Sequence, residues 1–142
     1  MAVSISRRIV SSDAALQAVE AAVAKGRERG VAVVAAVVDI GGDLVACLRA
    51  DGAFSASVSI ARDKAYTSAV FGAPTDGLSD ALKDNPTLHH GIAIRPGVVL
   101  FGGGLPLVED GAVIGAIGVS GGSEDDDRVC AQAGATAALA GG

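Results

Sequence analysis

The stretch VAVVAAVVDIGGDLVACLRAD, residues 31–51, decides how the rest of the chain is read. Two strand-like runs, VAVVAAVVD and DLVACLRAD, meet at Ile40-Gly41-Gly42, and a glycine pair between such runs marks a β-hairpin. The first run is apolar at every position from 31 to 38. Such a strand must be covered on both faces, which places it near the centre of a sheet. Upstream, Ser11 or Ser12 caps a helix through DAALQAVEAAVAKGRERG (13–30), with Leu16, Val19 and Val23 in one stripe and Gly30 as its stop. Downstream, FSASVSIARDKAYTSAVFG (54–72) reads as a second helix that ends before Pro74. Its only charges, Arg62, Asp63 and Lys64, are consecutive and fan over about 200° of the helix, so it has no ordinary polar face.

The remainder fits the same plan. TDGLSDALKDN (75–85) is a short helix or turn region closed by Pro86. GVVLF (97–101) reads as a strand, GGGLP (102–106) as a loop, and LPLVED with AVIGAIGVSGG as a second hairpin across residues 109–112. Ser123 caps a final helix whose acidic start complements the positive end of the helix dipole. The order α, β, β, α, β, β, β, α predicts one domain over residues 1–142, of α/β (α+β) class, with a single antiparallel sheet of about five strands packed against helices.

Half of the 142 residues are apolar, yet there are three Phe, one Tyr and no Trp. A core of Val, Ile, Leu and Ala buries little area per side chain, so further burial by self-association is expected. The doubly apolar strand and the helix without a polar face point the same way: a homo-oligomer, at least a dimer, with the second helix (Ala61, Ala65, Ala69) in or beside the interface and Lys64 near the subunit boundary. The net charge of −5 and the lack of a dense basic cluster argue against a nucleic-acid partner. Cys47 and Cys130 match no metal or redox spacing and are expected as free thiols of a cytoplasmic protein. Arg7-Arg8 resembles the start of a twin-arginine signal, but Ser11, Ser12 and Asp13 interrupt the apolar run that export would need. The apolar run 31–38 is too short to span a bilayer, so no membrane partner is expected.

Three strings, VVDIGGDLVACLRADGA (37–53), ARDKAYTSAVFG (61–72) and GGGLPLVEDGAVIGAIGVSGGSEDDDRV (102–129), resemble the GlcG/HbpS-like family, which includes the C-terminal domain of PduO-type proteins. The resemblance covers nearly the whole chain. It implies a profilin-like α/β domain, oligomers from dimers to octamers, and haem binding in some members.

Several residues are candidates for a site. Lys64 shares a helical row with Ile60, Ser68 and Phe71. It is either an anion hook for a carboxylate or a lysine whose stem lies on apolar surface while its head stays in solvent or pairs with an acid of another subunit; the family's matching Lys-Ala favours the hook as much as the alternative. Arg62 and Tyr66, at i and i+4, share another face. Gly102, Gly103 and Gly104 either expose backbone N–H groups to a ligand or make a bulged connection; the resemblance implies a pocket wall. The strand–glycine–helix passage at 112–127 has the outline of a phosphate cradle, but its acidic helix start would repel a phosphate. LHHGIAIRPG (88–97) holds both histidines. In an extended segment His89 and His90 point to opposite sides, so one of them, not the pair, would enter a pocket. One histidine suits an axial haem ligand or an acid/base near neutral pH, and Arg95 suits a ligand carboxylate.

Three functional readings follow. The first is an oligomeric binding protein for haem or a related tetrapyrrole, with His89 or His90 on the iron and Lys64 or Arg95 on the propionates. The second is a cofactor-independent isomerase or lyase for a small organic acid or aromatic catabolite, with Lys64 and Arg95 holding the substrate carboxylate, His89 or His90 moving a proton and the N–H groups of residues 102–104 stabilising an oxyanion. The third is an accessory subunit without a ligand.

Overall fold

The structure, a computed structural model, describes residues 1–141. Its elements are α1 (Ser12–Glu28), β1 (Val34–Asp39), β2 (Leu44–Arg49), α2 (Ala56–Phe71), α3 (Thr75–Leu82), α4 (Pro86–Ala93), β3 (Gly104–Glu109), β4 (Ala112–Ser120) and α5 (Glu124–Ala140). The four strands form one antiparallel sheet in the order β2-β1-β4-β3. The α/β class with an antiparallel sheet is thus as expected. The strand count is four rather than five because segment 97–101 does not join the sheet. The Thr67 hydroxyl holds that segment to α2 instead: it lies 2.9 Å from the Gly97 carbonyl and accepts from the Val99 N–H at 3.0 Å. Backbone groups satisfied in this way need no ladder.

β1 is central, and its alternating side chains serve two cores. Val33, Ala35 and Val37 pack with Ala15, Ala18, Val19 and Ala22 of α1 and with Cys130, Ala131 and Ala135 of α5. Val34, Ala36 and Val38 face Ala61, Ala65 and Ala69 of α2. A fully buried Val contributes roughly 1.5–3 kcal/mol, and small residues let the layers close without voids. On the α2 side this closeness is acute: a Cβ on Gly118 of β4 would run into the Ala61 carbonyl oxygen. The apolar run is therefore covered within one chain, and Ala61, Ala65 and Ala69 face their own sheet rather than an interface. A charge at Ala65 would be buried against Val38 and Ala116.

The capping residues act as the sequence indicates. Ser11 accepts from the Ala14 N–H, and Ser123 and Asp126 form a reciprocal capping box at the start of α5. The histidine segment differs from the extended expectation, because Asn85 accepts from the Leu88 N–H and Pro86 stands in the first turn, which together start α4. Among the described residues no helix is long and apolar enough to cross a membrane.

Candidate functional site

Residues 62, 64 and 66 leave α2 in different directions and meet different fates. Lys64 points inward and is 1% exposed, as Asp127 at the start of α5 is 4% exposed. The ammonium donates to Asp127 Oδ2 at 3.1 Å and to the Val119 carbonyl at 2.8 Å, and it lies 5.0 Å from the centroid of the Phe101 ring. Asp127 also accepts from the Gly122 N–H at 3.0 Å. Burial pushes the Lys64 ammonium below its ordinary range and the Asp127 carboxyl above its own, while each charge holds the other ionised. Lys64 is thus not an open anion hook. Its acid belongs to the same chain, so it needs no partner across a subunit boundary.

The glycine loop closes over this pair. Gly103 has φ +125°, and a Cβ there would stand 2.7 Å from Lys64 Nζ and 2.6 Å from the Val119 oxygen. The Gly102 N–H donates to Glu124 Oε1 at 2.6 Å and the Gly104 N–H to Thr75 Oγ1 at 3.0 Å. Two of the three N–H groups expected to stabilise an oxyanion are therefore already bonded. On its outer side the loop does wall a cleft of about 190 Å³, formed by Gly103, Gly104 and Leu105 with Ala131 and Gln132. Asp76 and Arg128 also line this cleft and pair with each other at 2.6 Å.

Arg62 and Tyr66 open on a different cleft, of about 250 Å³, with Gly42, Asp63, Pro96 and Gly97. The Tyr66 ring is held between two left-handed glycines, Gly42 (φ +85°) of the β1–β2 turn and Gly97 (φ +79°) of the loop after α4. A Cβ at Gly42 would come within 2.6 Å of the ring and one at Gly97 within 3.1 Å, so both positions need glycine for space as well as for backbone angle. Arg62 is exposed and has no ion pair among the described residues. Arg95 is exposed one residue before Pro96, on the same connection.

His89 and His90 lie on α4, no residue of which is buried. Consecutive helical side chains diverge by about 100°, so the two imidazoles still cannot share one pocket, now for a helical reason. His89 is half-buried, with Nε2 3.4 Å from Ser79 Oγ of α3, and His90 is exposed. Leu88 and Ile94, on and after the same helix, are exposed, Ile94 at 69%. Neither histidine lines the clefts at Tyr66 or at the glycine loop. Among the described residues no group of three or more His, Cys, Asp or Glu could hold a metal ion.

A family model described as haem degrading protein HbpS-like matches residues 10–136. The chain belongs to the HbpS-like family. A 15.0 kDa protein from the dhaT-dhaS intergenic region of Citrobacter freundii is 40% identical over 121 residues, 84% of this chain and 84% of the relative. Among solved structures, Klebsiella pneumoniae protein ORFY superposes with a TM-score of 0.91 at 34% identity, over 97% of this chain and 96% of that one. A complex of PduOC with haem superposes with a TM-score of 0.82 at 33% identity, over 91% and 94%. The resemblance carried by the glycine-rich strings is thereby confirmed for the family and for the fold.

In this HbpS-like chain, sequence reasoning missed Asp127. The residue sits in an acidic helix start that reads as dipole complement, and nothing local distinguishes it from Asp125 or Asp126. Its partner is 63 positions away. The lone lysine of a helix without an ordinary polar face was the available signal, since such a lysine, if buried, requires a carboxylate somewhere in the chain.

Proposed function

We propose that this HbpS-like chain binds haem or a closely related tetrapyrrole, as part of an oligomer, with His89 or His90 of α4 as the axial ligand. The observation that carries this reading is α4 itself: a helix that adds nothing to the core yet presents both imidazoles of the chain beside Leu88, Ile92 and Ile94. A macrocycle needs one nitrogen donor, apolar surface for its rings and cations for its propionates. Arg95 follows α4 directly, and Arg62 stands with Tyr66 at the cleft that Pro96 and Gly97 complete. These two arginines replace Lys64 as the propionate partners, because Lys64 is committed to Asp127. The haem complex of the PduOC relative supports the ligand class. Bound haem would supply a redox-active iron.

Proton-transfer catalysis on a small acid loses support, because the hook and most of the oxyanion donors it would use are occupied inside the fold. An accessory role without a ligand leaves the exposed histidines unexplained. Hemin titration followed at the Soret band tests the proposal. A saturable red shift that His89→Ala, His90→Ala or the double variant abolishes is the expected result. No shift, or a shift that survives the double variant, overturns the assignment.

A further inference from the structure

Residues 1–9 are all exposed, and beyond Arg8 and Val10 the segment has little to hold it. Arg8 bonds Glu109 at 2.7 Å and Asp110 at 3.3 Å, and the Val10 N–H donates to the Ile114 carbonyl at 2.9 Å. These contacts root the segment at the β3–β4 turn. Ahead of them, Val3-Ser4-Ile5-Ser6-Arg7 alternates in the period of a half-buried strand, with Val3 and Ile5 in solvent. An arm of strand pattern that covers nothing on its own chain is suited to cover something else.

The sheet offers one open place for it. At the β3 edge, Pro106 has no N–H, and the Gly104 N–H is taken by Thr75. At the other edge β2 is unblocked. The Ala50 N–H donates to the Val33 carbonyl, so the alternation of an antiparallel ladder turns the backbone groups of Arg49 and Cys47 away from β1, up to the β-bulge that leaves Val45 without a partner. A row of unpaired donors and acceptors of this kind accepts an added strand.

We infer that the N-terminal arm of one copy adds as a strand to the β2 edge of a second copy. Charge favours this occupant. With Arg8 spent on Glu109 and Asp110 of its own chain, Arg7 is the arm's cation without an ion pair among the described residues, in a chain of eleven basic residues against sixteen acidic ones. Asp43 and Asp51 flank β2, and neither forms an ion pair among the described residues. Arg49 repels a cation at its own end of the strand, so Arg7 lies at the Asp43 end and the arm runs antiparallel to β2. Val3 opposite Cys47, in the regular part of β2 beyond the bulge at Val45, brings Arg7 to the Asp43 end of the strand. The inference is independent of haem.

Cys47 is an exposed free thiol, whereas Cys130 is buried, so the chain carries its own reporter. Light scattering on the full chain, on a variant lacking residues 1–7 and on Ile5→Asp reads the assembly. Mild oxidation of Val3→Cys, run on a non-reducing gel, reads the register. The expected results are an oligomeric full chain, at least a two-fold drop in mass in both arm variants with an unchanged circular dichroism spectrum, and a cross-linked dimer of Val3→Cys that Cys47→Ser removes. A monomeric full chain or an unchanged mass in the arm variants overturns the inference. So does failure of Val3→Cys to cross-link, or a cross-link that survives Cys47→Ser.

Discussion

α2 divides the molecule into a closed side and an open side, and the two use the same kinds of residue in opposite ways. On the closed side, Lys64, Asp127 and the loop 102–104 are packed until each buried charge has its counter-charge and the Gly103 backbone angle serves contact. On the open side, Arg62 stands with Tyr66 at one cleft, while His89 and His90 lie on α4 and Arg95 just after it, each exposed or half-exposed. Two residues of separation on one helix, from Arg62 to Lys64, are enough to make this difference. A cation in a sequence is a binding residue or a structural one according to what stands opposite it, and opposite Lys64 stands a buried carboxylate.

The contrast can be broken most forcefully at Lys64. Replacing it by Met strands the Asp127 carboxylate, and a loss of about 3–5 kcal/mol of unfolding free energy in urea titration is expected. Adding Asp127→Leu should return most of that loss, since a buried pair contributes less than either charge costs alone. If Lys64→Met changed stability by less than about 1 kcal/mol, the closed side would not be closed.

The pH dependence of that variant sharpens the point. Burial already raises the Asp127 carboxyl, and the lysine that opposes the rise is gone in Lys64→Met. A group whose folded pKa lies above its unfolded value stabilises the fold below the unfolded pKa and loses that contribution as pH rises through the folded pKa. The deficit of Lys64→Met relative to the parent should therefore shrink as pH falls from about 7 toward about 4. A deficit that grows over that range would show the carboxyl to be stabilised as an anion by other groups.

Glycines on the two sides should respond with opposite signs. Gly103→Ala forces a Cβ toward Val119 and Lys64 at a positive φ and should cost about 1–3 kcal/mol. Gly91, inside α4, has nothing within 4 Å of the place a methyl group would take, and Gly91→Ala should stabilise by about 0.5–1 kcal/mol through helix propensity. The smallest effect belongs to His89→Ala and His90→Ala together. They should leave unfolding free energy within about 0.5 kcal/mol of the parent, because neither imidazole is buried. A larger loss would move the histidines from the open side to the structural one.

The family, the α/β class, the antiparallel sheet and the positions of the main helices are legible in the chain alone. They follow from local signals: strand-like apolar runs, glycine turns, and Ser11 and Ser123 as caps. The start of the histidine helix is also written locally, in Asn85-Pro86, although the neighbouring GVVLF run favours extension. Other matters were decided only by tertiary structure. That β1 is covered by α2 on one face and by α1 and α5 on the other depends on how layers stack, and residue periodicity says that both faces are covered without saying by what. That Lys64 is spent on Asp127, while Arg62 stays in solvent, depends on a contact across 63 residues. Local sequence specifies the direction in which a side chain leaves its helix; the group that meets it is supplied by the folded chain.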